Sequence, residues 1–328
     1  MKDLVTNFPA QLREAVEIGR NAQLANNNRN INKILISGLG GSGIGGTIVS
    51  ELVASECRLP ISVNKDYSLP ANVDDNTMVL ICSYSGNTEE TLEAFDEALA
   101  RGALVACVTS GGKVLEVAQE KELPHIVIPS GFPPRAAFAY SFTQLFFILA
   151  HYNLISYQSV EDLLVSIDFL AGEQAAIESE ANELTDKLHG NLPILYSDAG
   201  SEGVAIRWRQ QINENSKMLC WHHAFPEMNH NELVGWTQAS EQWAVVLLRN
   251  EDDYKRTQKR MEVCKTIFSN YTSNINEVWS KGPNTIARAL YLIHFGDFVS
   301  VQLAERKGID PVEVDVITGL KNELANFE

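Results

Sequence analysis

The chain has 328 residues, of which 45% are hydrophobic and 21% charged, the proportions of a globular protein with substantial cores. Its net charge of −16 argues against a nucleic acid or an anionic membrane surface as a partner, because both require a basic face. The longest apolar stretch, FTQLFFILAHYNLI, is too short and too interrupted to span a bilayer.

The five cysteines are widely spaced and form no CxxC pair. This pattern predicts buried, reduced thiols rather than zinc or redox chemistry. The N-terminal stretch MKDLVTNFPAQLREAV lacks the apolar segment of a signal peptide. Together these features predict a cytoplasmic protein.

Short β-like runs alternate with helical patterns in the first half of the chain. The runs are KILISGLG, PISVNKD, TMVLICS, ALVACVTS and PHIVIPS, each rich in Val or Ile and closed by polar or turn residues. Between two of them, TEETLEAFDEALARG places Leu92, Phe95, Ala98 and Leu99 on one helical face. Such alternation predicts a parallel sheet with helices on both faces.

A helical zone from about residue 136 to 188 separates this half from a second one with the same rhythm. Its strand-like runs are LPILYSD, MLCWHHAF, QWAVVLLRN and INEVWS, again with helical patterns between them. We therefore predict two α/β domains, residues 1–153 and 154–328. The two halves share this rhythm but no obvious repeat of letters.

The glycine-rich stretch SGLGGSGIGG ends the first predicted strand and opens a helix. Gly38, Gly40 and Gly43 fit the spacing G-x-G-x-x-G, and Asp66 follows about twenty residues later, so a dinucleotide site is one interpretation. A tight strand-to-helix turn is another. The third is an anion or sugar site, because glycines let backbone N–H groups approach a ligand at a helix N-terminus.

A second polar cluster, SYSGNTEET, favours the third interpretation. Ser83, Ser85 and Thr88 follow a strand and lead into a helix. Thr88 or Asn87 could cap that helix, but a cap needs one such residue and not four. Hydroxyl groups and free N–H groups at a helix start suit the three oxygens of a phosphate. A phosphorylated small molecule would use both loops, whereas a dinucleotide leaves the second unexplained.

The pair GLGGSGIGG and SYSGNTEET resembles the sugar isomerase (SIS) domain. PPRAAFAY, RWRQQINENSK, HAFPEMNHNELVGW and DPVEVDVITGLKNEL further resemble the bifunctional phosphoglucose/phosphomannose isomerase family, built from two SIS domains. The resemblance implies an α/β fold with two parallel sheets. It also implies a homodimeric aldose–ketose isomerase that interconverts fructose 6-phosphate with glucose 6-phosphate and mannose 6-phosphate, without cofactor or metal.

The resemblance also implies roles for individual residues. Glu214, flanked by Asn213 and Asn215 that could orient it, matches the base that shuttles a proton between C1 and C2. His230 matches a ring-opening histidine that reaches the site from the neighbouring subunit. Lys321 matches a lysine that assists ring opening. A solvated glutamate at a helix end and a surface lysine on an amphipathic helix are the alternatives.

Further candidates complete the site that the resemblance implies. Arg135, after a double proline, suits contact with phosphate or with the charge on an enediolate. Gly41 and Ser42 are expected to approach the sugar. His222 and His223 compete with His230, and with Glu227 and Glu232 they form a cluster that lacks the spacing of a metal site.

Two other classes of protein remain open on the sequence. A non-catalytic sugar-phosphate sensor is one, but only about thirty residues precede the first strand, too few for a DNA-binding module. A nicotinamide-dependent enzyme is the other, and it leaves the Ser83–Thr88 loop without a role. The sequence does not determine which epimer is preferred.

Overall fold

The computed structural model describes residues 1–26 and 29–327 as two parallel β-sheets with helices on both faces. This confirms the predicted fold class. The Val/Ile-rich runs of the sequence are the strands, in the predicted order. Within the described ranges, no helix is both long and apolar enough to cross a membrane.

The first sheet has strand order β2-β1-β3-β4-β5, with every neighbouring pair parallel. Its strands are β1 (Lys33–Ser37), β2 (Ile61–Asn64), β3 (Thr77–Ser83), β4 (Leu104–Thr109) and β5 (His125–Val127). One face packs on α4 (Glu89–Ala100) and α5 (Gly112–Glu120), and the other on α2 (Phe8–Asn21), α3 (Gly40–Leu52) and α6 (Phe138–His151). A short helix, α1 (Lys2–Thr6), precedes α2.

The second sheet repeats the order of the first four strands, as β7-β6-β8-β9. Its strands are β6 (Leu192–Asp198), β7 (Trp221–Phe225), β8 (Trp243–Arg249) and β9 (Ile275–Trp279). One face packs on α7 (Gln158–Leu188), α8 (Glu202–Ser216) and α10 (Thr285–Lys307), and the other on α9 (Lys255–Phe268). The last helix is α11 (Asp315–Ala325).

Both sheets are buried on two faces, which explains why their strands read as nearly continuous apolar runs. All seven residues of β3 are buried, and successive side chains enter different cores. One of these cores is continuous through the chain and joins the helices of both sheets. The predicted boundary at residues 153–154 falls in the loop between α6 and α7, and its position stays a prediction.

Helix α10 packs on α8 through a glycine. Trp208 of α8 is buried, and its indole N–H donates to the carbonyl of Leu292 at 2.8 Å. A Cβ atom on Gly296 would overlap that indole ring. The close approach of the two helices therefore requires a residue without a side chain at position 296.

Gly296→Ala should lower the free energy of unfolding by about 1–3 kcal/mol, because the added methyl group overpacks the contact with Trp208. Gly172→Ala is the matched control, since nothing lies near its Cβ position in the exposed middle of α7. It should raise stability by roughly 0.5–1 kcal/mol through helix propensity. Urea denaturation measures both, and equal midpoints for the two variants would contradict the tight contact.

Candidate active site

The glycine-rich loop and the serine/threonine loop meet at the carboxyl edge of the first sheet. They follow β1 and β3, which are adjacent parallel strands, so both loops emerge side by side. A direct hydrogen bond joins them, because the backbone N–H of Tyr84 donates to Ser42 Oγ at 3.1 Å. The two polar motifs of the sequence thus form one continuous cradle.

The hydroxyl groups of the second loop are not used to cap a helix. Thr88 occupies the N-cap position of α4 but makes no side-chain capping hydrogen bond. Its Oγ1 lies 3.3 Å from Ser83 Oγ, which donates to it, while Ser85 Oγ accepts the N–H of Asn87. The Asn87 side chain instead accepts the N–H of Lys113. The start of α4 therefore keeps N–H groups available for an anion.

Two glycines are required by close approaches at this edge. Gly86 has φ +69°, and a Cβ there would overlap the carbonyl of Gly111. A Cβ on Gly41 would lie 2.9 Å from the carbonyl oxygen of Pro134. Because of the second contact, the 3₁₀ turn Pro134–Ala136 packs against the glycine-rich loop. Arg135, in the middle of this turn, therefore lies beside that loop.

Arg135 joins this cradle to the end of α8. Its Nε donates to Asn215 Oδ1 at 2.7 Å, and its Nη1 lies 3.2 Å from Glu214 Oε2. Its Nη2 donates to the carbonyls of Pro311 and Val312. Arg135 is buried, whereas the Glu214 side chain is 30% exposed. One carboxylate therefore faces the cradle from the second domain.

A buried ion pair between Arg207 and Asp297 contacts the backbone of Arg135. Arg207 Nη2 lies 2.6 Å from Asp297 Oδ2 and also donates to the Arg135 carbonyl at 3.3 Å. Gln211 donates to the other carboxylate oxygen at 2.8 Å. Burial raises the pKa of Asp297, and Arg207 opposes this rise. The donors satisfy both oxygens of a carboxylate that is almost completely buried.

The chain is similar to known proteins in both sequence and fold. Residues 177–324 match the model of the bacterial phospho-glucose isomerase C-terminal SIS domain. The bifunctional phosphoglucose/phosphomannose isomerase of Caldicellulosiruptor bescii is 40% identical over 100% of both chains. That of Aquifex aeolicus is 36% identical over 89% of this chain and 90% of its own.

The chain belongs to the bifunctional phosphoglucose/phosphomannose isomerase family. The resemblance inferred from the sequence is thereby confirmed, and with it the expectation of an isomerase. A more distant relative, the D-glucosamine-6-phosphate 4-epimerase of Sulfolobus acidocaldarius, is 28% identical over 90% of each chain.

Among solved structures, the C-terminal domain of glucosamine-fructose-6-phosphate aminotransferase from Francisella tularensis has the same fold. It superposes with a TM-score of 0.74 at 14% identity, over 94% of this chain and 96% of its own.

Two predicted site residues, His230 and Lys321, form no hydrogen bond or ion pair with this site within the described part of the chain. His230 is exposed in the 3₁₀ turn Glu227–His230, which follows β7 at the carboxyl edge of the second sheet. Because α8 runs back from that edge, Glu214 lies at the opposite, amino edge. Lys321 lies on α11, whose residues are all exposed. The chain alone therefore does not bring His230 to Glu214.

The competing histidines, His222 and His223, lie in strand β7 of the second sheet. Burial lowers the pKa of His222 to about 4, and Arg209 and His223 add to this effect. His223 Nδ1 accepts the N–H of Ala224 at 2.8 Å. Within the described ranges, no group of three or more His, Cys, Asp or Glu side chains has the arrangement of a metal site.

The structure assigns partners to Asn213 and Asn215 other than Glu214. Asn213 donates to the carbonyl of Met218 at 2.7 Å. Asn215 accepts from Arg135 and donates to Ser300 Oγ at 2.9 Å. Neither side chain forms a hydrogen bond with the Glu214 carboxylate among the described contacts, so direct orientation by the two asparagines is not observed. Arg135 is the side chain that contacts the carboxylate.

Glu51 links helices α3 and α8 at the ends that lie away from the candidate site. At the end of α3, its Oε1 accepts the N–H of Gly203, at the start of α8, at 2.8 Å. Burial raises the pKa of Glu51 to about 8, although the Gly203 N–H and Lys65 act in the other direction. Sequence patterns did not reveal this contact, because it joins residues 152 positions apart.

Glu51→Gln should reduce the pH dependence of stability. The folded chain holds the Glu51 proton more tightly than the unfolded chain, so this contribution is complete below pH about 4.5 and is lost as the pH rises to about 8. Each pKa unit is worth about 1.4 kcal/mol. We expect the variant to match wild type at pH 4.5 and to exceed it by a few kcal/mol at pH 8 in urea denaturation. A constant difference across this range would contradict the assignment.

Proposed function

We propose that the protein interconverts fructose 6-phosphate with glucose 6-phosphate and mannose 6-phosphate by proton transfer through a cis-enediolate. The observation that carries this proposal is the position of Glu214, a partly exposed carboxylate held by Arg135 at the edge of the loop cradle. Family membership supports the same reaction.

The two loops divide the substrate between them in this proposal. Ser83, Ser85 and Thr88 hold the phosphate together with the N–H groups at the start of α4. Gly41 and Ser42 approach the sugar, since Gly41 leaves no side chain in the way. The phosphate thus fixes the chain of the sugar at one end and leaves C1 and C2 free to meet Glu214.

Proton transfer needs one base and one positive charge. Glu214 takes the proton from C2 of an open-chain aldose phosphate and returns it to C1, while the hydroxyl proton of O2 passes to O1, which gives the ketose. Arg135 lies close enough to the carboxylate to stabilise the charge that develops on the enediolate oxygens. In the reverse direction, protonation of C2 on either face gives the glucose or the mannose epimer.

Ring opening is assigned to His230 of the partner subunit and to Lys321. The position of His230 at the far edge of its own second sheet supports a contribution across a dimer interface, since it is remote from Glu214 of the same chain. Imidazole titrates near neutral pH and can pass a proton to the ring oxygen. We propose a cytoplasmic homodimer that needs neither cofactor nor metal.

Glu214→Gln should abolish both isomerase activities. The glutamine side chain keeps the size of the glutamate but cannot accept the C2 proton, so kcat should fall by about 10³-fold or more. The assay follows glucose 6-phosphate and mannose 6-phosphate separately from fructose 6-phosphate, with EDTA-treated protein. Fructose 6-phosphate should still raise the Tm of the variant.

The matched control for this variant is Glu202→Gln, at the other end of the same helix, which should remain active. A Glu214→Gln enzyme that keeps its activity would refute the assigned base. If only one of the two aldose phosphates forms, the proposed dual specificity is contradicted. Turnover of glucosamine 6-phosphate in place of fructose 6-phosphate would favour the chemistry named for the Sulfolobus relative.

Thr88→Val should raise KM for fructose 6-phosphate by about tenfold and leave kcat nearly unchanged, because it removes a hydrogen bond to the phosphate. Thr91→Val, one turn further along α4, is the control. Thr91 is buried and its hydroxyl group has no hydrogen-bond partner among the described residues, so its loss should not affect KM. Steady-state kinetics of both variants measures the difference. Equal KM values for the two variants would contradict the proposal that Thr88 binds the phosphate.

A further inference from the structure

The C-terminal helix α11 has an apolar stripe that no other part of the described chain covers. Val316 is 87% exposed and Leu320 is 60% exposed. Ile317 and Leu324 continue the stripe at helical spacing, and no residue of α11 is buried. A helix of 11 residues is marginal in water on its own. The stripe therefore requires a surface to pack on.

The start of α11 is anchored beside the candidate active site. Lys217 Nζ donates to the carbonyls of Asp310 and Glu313, at 3.0 and 2.6 Å. Arg135 donates to the carbonyls of Pro311 and Val312. The segment before the helix is thus fixed next to Glu214, while the helix itself extends away from its own subunit.

A groove on the other face of the second sheet has the complementary character. We call it the α9 groove, and its volume is about 620 Å³. Its lining combines apolar side chains with four cations and no acidic residue: Asn229, Leu233, Lys255, Arg256, Lys259, Arg260, Val263, Cys264 and Ile267. In a chain of net charge −16, such a group of cations is a distinct local feature.

The cations of the α9 groove are available for a partner. Within residues 1–26 and 29–327, none of the four forms an ion pair, and Arg260 donates only to Asn229, at 3.2 Å. Val263, an apolar lining residue, is 47% exposed. The groove therefore offers apolar contact flanked by unpaired positive charge.

Charge complementarity identifies α11 as the occupant. Residues 309–327 contain four acidic side chains, Asp310, Glu313, Asp315 and Glu323, and one basic side chain, Lys321. On a helix, Glu323 borders the apolar stripe, so it would face the rim of a groove that receives the stripe. An acidic amphipathic helix and a basic apolar groove are a matched pair.

A subunit cannot fill its own α9 groove with its own α11. The anchor of α11 lies beside the end of α8, which packs on the face of the second sheet that carries Leu195 and Val246. Helix α9 packs on the opposite face, with Tyr196 and Val245. The sheet separates the two, and a helix of 11 residues, about 16 Å long, starts on the wrong side of it.

We propose that α11 of one subunit docks in the α9 groove of a second copy of the chain, and that the exchange is reciprocal. A two-fold axis then lets the same two surfaces bind each other twice. Because Asn229 lines the groove, docking also brings the adjacent His230 of the partner subunit toward the anchor of α11, beside Glu214. This last consequence rests on the proposed function, whereas the docking itself does not.

Cross-linking tests the contact directly. A chain carrying Leu320→Cys and a chain carrying Val263→Cys, with different affinity tags, are co-expressed and oxidised. We expect a disulfide-linked heterodimer of about twice 36.3 kDa. Both chains also carry Cys264→Ala, because the native thiol of Cys264 lines the α9 groove and would compete for the disulfide. In this background, Leu320→Cys paired with a chain that keeps Val263, and Leu320→Cys paired with Val165→Cys, should give none. Cross-linking only within a chain that carries both substitutions would overturn the exchange.

Charge reversal tests the same contact without oxidation. Lys259→Glu and Glu323→Lys should each raise the dimer dissociation constant by about tenfold, and their combination should restore it to within about threefold of wild type. Lys121→Glu, an exposed change on the first domain, should have no effect. Sedimentation of the full chain measures these constants. A dimer insensitive to both changes, or a wild-type monomer, would overturn the proposal.

The same variants separate the docking from the enzyme activity. Loss of inorganic phosphate binding in Lys259→Glu with an unchanged dimer would make the groove an anion site and overturn the docking. A monomer active on fructose 6-phosphate would also overturn the docking, but not the proposed function. A cross-linked dimer with no isomerase activity would keep the docking and reject the function.

Discussion

Arg135 carries a positive charge into the junction between the two domains, and the candidate site depends on the partners that this buried charge requires. A buried guanidinium is tolerated only when its donors are satisfied. Here the Glu214 carboxylate, the Asn215 amide and two carbonyls just before α11 satisfy them. One side chain therefore fixes the end of α8, the start of the C-terminal segment and, through Pro134, the glycine-rich loop.

This arrangement also explains how a carboxylate can lie at a helix C-terminus. The helix dipole disfavours negative charge at that end, and Glu214 is in the last turn of α8. Two cations compensate: Arg135 pairs with the carboxylate, and Lys217 donates to the Glu214 carbonyl at 2.8 Å. The proposed base is therefore held in place near the cradle while its side chain stays 30% exposed.

The parts of the fold that local pattern determines were predictable from the sequence. The strands and the two polar loops followed from alternating apolar runs and from the residues that end them, because strand propensity and turn chemistry act over a few positions. Contacts between distant residues were not predictable in this way. Arg135 and Asn215 are 80 positions apart, Glu51 and Gly203 are 152 apart, and neither pair leaves a periodic signal. The exposed position of α11 likewise depends on what surrounds the helix, and amphipathic spacing alone predicts only that one face is apolar.

The two sheets share a strand order but offer opposite electrostatic surroundings at their carboxyl edges. In the first sheet this edge carries hydroxyl groups, glycines and a helix start. In the second, Asp198 ends β6 and the loop after β8 carries Asp252 and Asp253, with Glu51 beside them, and Arg288 pairs with Asp252. Burial raises the pKa of Asp253 to about 6, and the neighbouring carboxylates add to this effect. Such an edge repels a phosphate, so the site that we propose for the phosphate uses the first sheet. The second domain instead contributes the amino edge of its sheet, where α8 ends and presents Glu214 to the first.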